Sequence, residues 1–135
     1  MRNPPVNRLV VDVAAAPGYE TVCVRVAGDV DLAGEPVLAG VVRQLVVTRC
    51  GRVYVDLAGI TFAGAILLNF VVRVATRLPD HPTTVLCRPN AVTRRLIELA
   101  SLDCVATVRA DLPPDWITPT AATAEFAATP TTATA

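Results

Sequence analysis

Few side chains in this sequence can carry covalent or acid–base chemistry, and their spacing does not gather them into a motif. The single histidine, His81, lies in Pro79-Asp80-His81-Pro82, a proline-bounded loop expected to face solvent, so no nucleophile–base site is expected around it. Cys23, Cys50, Cys87 and Cys104 are widely spaced and contain no Cys-x-x-Cys pair, which reads as free buried thiols rather than a zinc set. One alternative stays open, in which Cys87 and Cys104 pair under oxidation and change the surface. There is no lysine, hence no Gly-x-x-x-x-Gly-Lys phosphate loop. Among the acids, Asp31 is expected to cap the following helix, and Asp56 to accept hydrogen bonds at a strand end; no metal or acid/base cluster is assigned to Asp29, Asp31 and Asp56. The hydroxyls have structural readings: Ser101, the only serine, at a helix end, Thr61 at a strand end and Thr93 in a first helical turn. No cofactor, metal or catalytic residue is expected.

A chain of 135 residues, 53% hydrophobic and 18% charged, suffices for one domain with a single core. All 12 basic residues are arginine, balanced by 12 acids and scattered along the chain, so the basic stripe of a nucleic-acid binder is missing. The polar, proline-containing start at residues 1–6 does not read as a signal peptide, and the most apolar run, residues 62–72, is interrupted by Asn69 and falls short of the roughly 18–20 residues that span a bilayer. A cytoplasmic protein without membrane contact is the expectation.

These groups must be positioned by alternating elements. Residues 9–13 and 21–27 are β-branched runs separated by Ala-Pro-Gly, predicting a hairpin. Val37, Leu38, Val41, Val42, Leu45 and Val46 repeat at helical spacing, with Pro36 near the start and Gly51 beyond the end. A strand is predicted over 53–57, a helix over 65–78, a strand over 83–87, a helix over 90–100 and a last strand over 105–108. Such alternation requires a sheet with crossovers rather than a bundle. Beyond Trp116 the chain is Thr, Ala and Pro, too poor in apolar side chains to offset the entropy of ordering. The domain is therefore expected over 1–116, with a flexible tail over 117–135.

Three separated segments carry a resemblance to one family. Asp56-Leu57-Ala58 through Phe62-Ala63-Gly64-Ala65 resembles the core motif of STAS domains, the fold of bacterial anti-sigma factor antagonists, roughly Asp-Leu-Ser-x-Val-x-Phe-x-Asp-Ser-Ser/Thr-Gly-Leu. Gly28-Asp29-Val30-Asp31 resembles the family's Gly-Glu-Leu-Asp element. The run from Pro89 to Leu99, followed by Leu102-Asp103, resembles its Ser-Pro-x-Val-x-Arg-x-Leu helix and the Gly-Leu-Asp after it, with Ser101 replacing the usual glycine. The resemblance implies an α/β fold: a mixed sheet of four to five strands with helices packed mainly on one face.

It also implies a function. The partner would be an anti-sigma factor with a serine-kinase-like ATPase fold, displaced so that a sigma factor is freed, with the protein a monomer or weak homodimer. In the family a serine at the mouth of the central helix is phosphorylated, and the added phosphate, nearly two negative charges, releases the partner. Here Ala65 falls on that serine and Gly64 on the aspartate before it, so phosphorylation at this position is impossible. The contact surface is expected to comprise Gly28, Asp29, Asp31, Thr61, Gly64, Ala65, Ile66, Asn69, Phe70 and Arg73. Leu68, Val71, Val72, Ala75 and Leu78 are expected to face the sheet, leaving Ile66 and Phe70 outward as an apolar anchor beside Arg73; the alternative for Phe70 is the core edge. Rival functions are a redox-controlled binder, a scaffold subunit among like domains, and a nucleotide or small-ligand sensor.

Overall fold

A computed structural model describes residues 8–119. The chain begins with β1 (Val10–Ala15) and β2 (Thr21–Val30), joined through a turn at Pro17–Tyr19 and paired antiparallel from Val10↔Ala27 to Ala15↔Val22. Three crossovers follow: α1 (Glu35–Thr48) leads to β3 (Arg52–Ala63), α2 (Ala65–Thr76) to β4 (Thr83–Cys87), and α3 (Ala91–Leu99) to β5 (Thr107–Arg109). The five strands lie in the order β1-β2-β3-β4-β5, with β2 to β5 mutually parallel, as helical crossovers demand.

Alternation sorts the two faces. Val22, Val24, Val26, Val53, Val55, Leu57 and Leu86 point one way and share a core with Leu38, Val41 and Leu45 of α1, Leu67, Phe70, Val71 and Val74 of α2, and Ile97 of α3. Cys23, Tyr54, Val85 and Cys87 point the other way, where among the described residues no helix lies; Leu112, Trp116 and Ile117 pack on them instead. The tail was expected from residue 117, yet Ile117 belongs to this second layer; residues from 120 onward lie outside the described residues.

Two elements differ from their sequence reading. Strand β3 does not stop near residue 57: it pairs with β2 to Val30↔Ala63, with register shifts at Arg25/Ala27 and Gly28/Asp29, while β4 accompanies it only to Asp56↔Cys87. Residues 58–64 belong to neither element predicted from sequence; pairing with β2 carries the strand through them, and Gly59 lies where a Cβ would come within 2.8 Å of the Ala27 Cβ, so glycine permits that close approach. Helix α2 is rotated from the expected phase. Its buried positions are 67, 70, 71 and 74, so Phe70 is fully buried and Leu68, Val72 and Ala75 are only half-buried.

Helix ends use local devices. Asn90 caps α3 by accepting the Thr93 N–H at 2.8 Å. Ser101 takes the left-handed conformation (φ 59°) that the family's glycine would supply, and follows the end of α3. Arg49 does the same after α1 (φ 55°) and forms an exposed ion pair with Asp80.

Candidate functional site: the apolar edge at the start of the central helix

The C-terminal ends of β2 and β3 project past β4 as a two-stranded ribbon, and of the predicted surface residues Gly28, Asp29, Asp31, Thr61, Gly64 and Ala65 lie on it or within two residues of its end. Gly28, with φ 91°, pairs with Ile60, and Asp29 pairs with Phe62. The Thr61 hydroxyl donates to Asp29 Oδ1 at 2.6 Å across the two strands. Asn90 donates from its side-chain amide to the Ile60 carbonyl at 3.2 Å, so the cap of α3 also steadies the ribbon.

Gly64 then turns the chain into α2 without any side-chain cap; its carbonyl accepts the Leu67 N–H at 3.1 Å. Ala65 and Asn69 are exposed and Ile66 is half-buried against the core. The N-terminal turn of α2 therefore presents a methyl group and backbone N–H groups, with no acidic side chain in that turn.

Phe70 is not part of this surface. Its ring is fully buried in the core, because the contact stripe of α2 runs through 67, 70, 71 and 74. Arg73 is tied down as well: its guanidinium reaches both Glu35 carboxylate oxygens at 3.2 Å, linking α2 to α1. Asp31 does not act as a cap; it is exposed and makes no side-chain bond to the turn at Leu32–Gly34, although its carbonyl accepts the Gly34 N–H at 3.0 Å. The position that caps α1 itself is Gly34, three residues further on.

Sequence reasoning missed the two large apolar groups of this edge. Leu32 is 76% exposed, two residues beyond the Val30↔Ala63 pair that ends the ribbon, and Phe62, 56% exposed, lies one residue before it. Phe62 was hidden inside an apolar run, and strict alternation would place it on the core face with Ile60; the register shift between Gly28↔Ile60 and Asp29↔Phe62 turns it outward, and a bulge set by pairing with β2 leaves no local signal. Beside Leu32 a cleft of about 370 Å³ is lined by Arg8, Leu9, Asp29, Asp31 and Val37, placing both acids at its rim.

Behind the ribbon lies a buried charge. Asp56 occupies the middle of β3, not its end, and its side chain is 2% exposed. Arg88 reaches it with Nη2 at 2.7 Å and Nε at 3.1 Å, Arg25 donates from Nε at 3.1 Å, and the Ala58 N–H donates at 3.2 Å. Burial pushes the carboxyl upward, but the Arg88 and Ala58 hydrogen bonds and the nearby Arg25 outweigh it and hold the group below the ordinary aspartate range. To reach Asp56, Arg88 leaves β4 in a left-handed conformation, φ 56°.

The remaining chemical groups lie apart from this edge. All four cysteines are free. Cys87 is buried, and burial together with the Asp56 charge raises its thiol to about 11, whereas Cys104 is exposed. His81 is exposed, Thr93 is buried behind its cap, and among the described residues no group of three or more His, Cys, Asp or Glu side chains could hold a metal ion. Among the same residues no helix is long and apolar enough to cross a membrane.

No family model matches this sequence, and no curated protein matches it. Solved structures do. An anti-sigma factor antagonist from Mycobacterium paratuberculosis is similar with a TM-score of 0.70 and 22% identity, over 78% of this chain and 88% of that one. The anti-sigma factor antagonist SpoIIAA in its unphosphorylated form is similar with a TM-score of 0.63 and 17% identity, over 74% of this chain and 88% of that one. The five-stranded mixed sheet, with its three helices on one face and its bulged β2–β3 ribbon, thus has the STAS fold of the anti-sigma factor antagonists.

Proposed function

We propose that this protein binds an anti-sigma factor of serine-kinase-like ATPase fold and thereby frees a sigma factor, and that it does so without phosphorylation control at residue 65. The reading places it in the cytoplasm as a regulator of transcription with no catalytic role. The observation that carries it is Ala65: the residue at the mouth of α2 is exposed, bears no hydroxyl, and lies on the edge that also presents Leu32 and Phe62. In a regulated family member a phosphate here would add charge that must be desolvated on docking. A methyl group keeps the edge apolar, so complex formation depends on how much of each protein is present.

Calorimetry against kinase-fold anti-sigma candidates tests this. Leu32→Asp and Phe62→Asp each put a charge at the centre of the proposed contact, with an expected loss of affinity of about tenfold or more. Ala65→Glu, which imitates the missing phosphate in sign, should weaken binding by a similar factor. Wild-type affinity in all three variants removes the proposed surface. Phosphate transfer from ATP to any residue by the partner would overturn the unregulated reading.

A further inference from the structure

The face of the sheet on which no helix lies among the described residues carries a feature outside the surface proposed for partner binding. Residues 112–117 lie over it without secondary structure, and among the described residues no backbone–backbone hydrogen bond joins them to a strand. What holds them is a short set of side-chain contacts. Leu112, Trp116 and Ile117 pack on Cys23, Tyr54, Val85 and Cys87. The Tyr54 hydroxyl donates to Asp115 at 2.8 Å, Arg52 reaches the same carboxylate at 3.3 Å, and the Trp116 ring lies 5.5 Å from the Arg25 guanidinium. The Ile117 N–H donates to the Cys23 sulfur at 3.3 Å, and sulfur is a weak acceptor. Asp115 and Arg52 are both about half exposed, so water competes for that pair.

We propose that residues 112–117 form a displaceable strap gating Cys23 and Cys87, and that capping of Cys23 by a low-molecular-weight disulfide locks the strap open. Of the strap's residues only Pro113 is buried; Leu112, Trp116 and Ile117 are half-buried and Pro114 and Asp115 exposed, whereas the thiols beneath are fully buried. A segment attached by so few contacts opens at a free energy well below that of the whole domain. Closed, the thiols are shielded and burial raises both; at Cys23 the Ile117 N–H of the strap opposes that rise and the Asp115 charge adds to it. Open, they regain water and thiolate character.

The chemistry balances with one co-reactant. The Cys23 thiolate attacks one sulfur of the disulfide, a protein–sulfur bond forms as the reagent's S–S bond breaks, and the departing thiolate takes up the proton that cysteine lost. Cys23 is oxidised and half of the reagent reduced; excess thiol reverses the step. Cys23 Sγ is the atom that the Ile117 N–H meets, so an added group occupies the seat of the strap. Pairing of Cys23 with Cys87 is excluded by the sheet: β3 runs between them and Cys87 is two residues out of register, a Cα separation of about 12 Å against the roughly 7 Å limit for a disulfide.

Pulsed iodoacetamide labelling of the full chain, resolved by peptide mass mapping across sub-denaturing urea, tests the gate. Cys104 should label first, Cys23 and Cys87 next with little urea dependence, and Cys50, in the main core, only as the whole domain unfolds. Trp116→Ala should speed labelling of Cys23 and Cys87 by about tenfold, the factor given by about 1.4 kcal/mol of lost contact, and leave Cys50 unchanged. Cys23 and Cys87 labelling at the rate and urea slope of Cys50 in the wild type would overturn the gate. For the lock, protein capped at Cys23 with hydroxyethyl disulfide should show red-shifted emission from Trp116, the only tryptophan, and fast labelling at Cys87. Unshifted emission with slow Cys87 labelling refutes it.

Discussion

Replacement of Asp56 by asparagine isolates the charge of the buried carboxylate while keeping its shape. Three guanidinium hydrogen bonds, from Arg88 and Arg25, converge on it at 2.7–3.1 Å. In the variant one oxygen can still accept the Ala58 N–H, but the amide nitrogen meets guanidinium donors with nothing to offer them. Breaking a fully buried ion pair costs about 3–5 kcal/mol. Here the carboxylate is 2% exposed while Arg25 and Arg88 are 32% and 39% exposed, so both arginines recover part of their hydration and the loss falls to about 2–4 kcal/mol. Urea unfolding followed by circular dichroism should show a lower midpoint at unchanged slope, with Tm lower by roughly 10 °C or more.

The pH dependence supplies a sharper check. Because the folded carboxyl titrates below its unfolded value, its contribution is complete above the unfolded aspartate pKa of about 3.9 and is lost as pH falls through the folded pKa. The difference between wild type and Asp56→Asn should therefore be constant at neutral pH and shrink in acid. A difference below about 0.5 kcal/mol at pH 7, within the range of ordinary surface substitutions, or one that does not narrow in acid, would refute the electrostatic account of this site.

Three further substitutions test other parts of the fold by the same unfolding measurement. Gly59→Ala forces its Cβ to 2.8 Å from that of Ala27 and should cost about 1–3 kcal/mol, partly recovered by adding Ala27→Gly; no loss would mean that the bulged ribbon is loosely paired. Ser101→Gly relieves a left-handed serine, worth about 1–2 kcal/mol, against a smaller entropic penalty in the unfolded chain, so a net gain of up to about 1 kcal/mol is expected. Thr84→Val removes a hydroxyl that is buried and unpaired among the described residues, and should stabilise the domain by about 1 kcal/mol; destabilisation would reveal a partner for that oxygen.

The order of strands and helices was legible because it rests on local signals. The hairpin at Pro17-Gly18 and the α1 stripe through Leu38, Val41 and Leu45 each involve residues within a few positions of one another. The three motif segments also stood in the correct order, and each lies on the element that the resemblance implied. The phase of α2 was not legible: with Leu67, Leu68, Phe70, Val71 and Val72 all apolar, several stripes satisfy the same period, and only the direction in which β3 delivers the chain through Gly64 selects the one that buries Phe70.

What the sequence alone determined, then, is the alternating α/β plan and the chemistry absent from the mouth of α2, since a methyl side chain at residue 65 has no hydroxyl in any conformation. Tertiary structure decided what surrounds that point: the exposure of Leu32 and Phe62, the loss of Phe70 to the core, the convergence of Arg25 and Arg88 on Asp56, and the strap over Cys23 and Cys87. Each of these depends on pairing between residues 30 or more positions apart, or on which face of the sheet a segment meets. Such pairings are settled by the packing of the whole chain, where local periodicity carries no information.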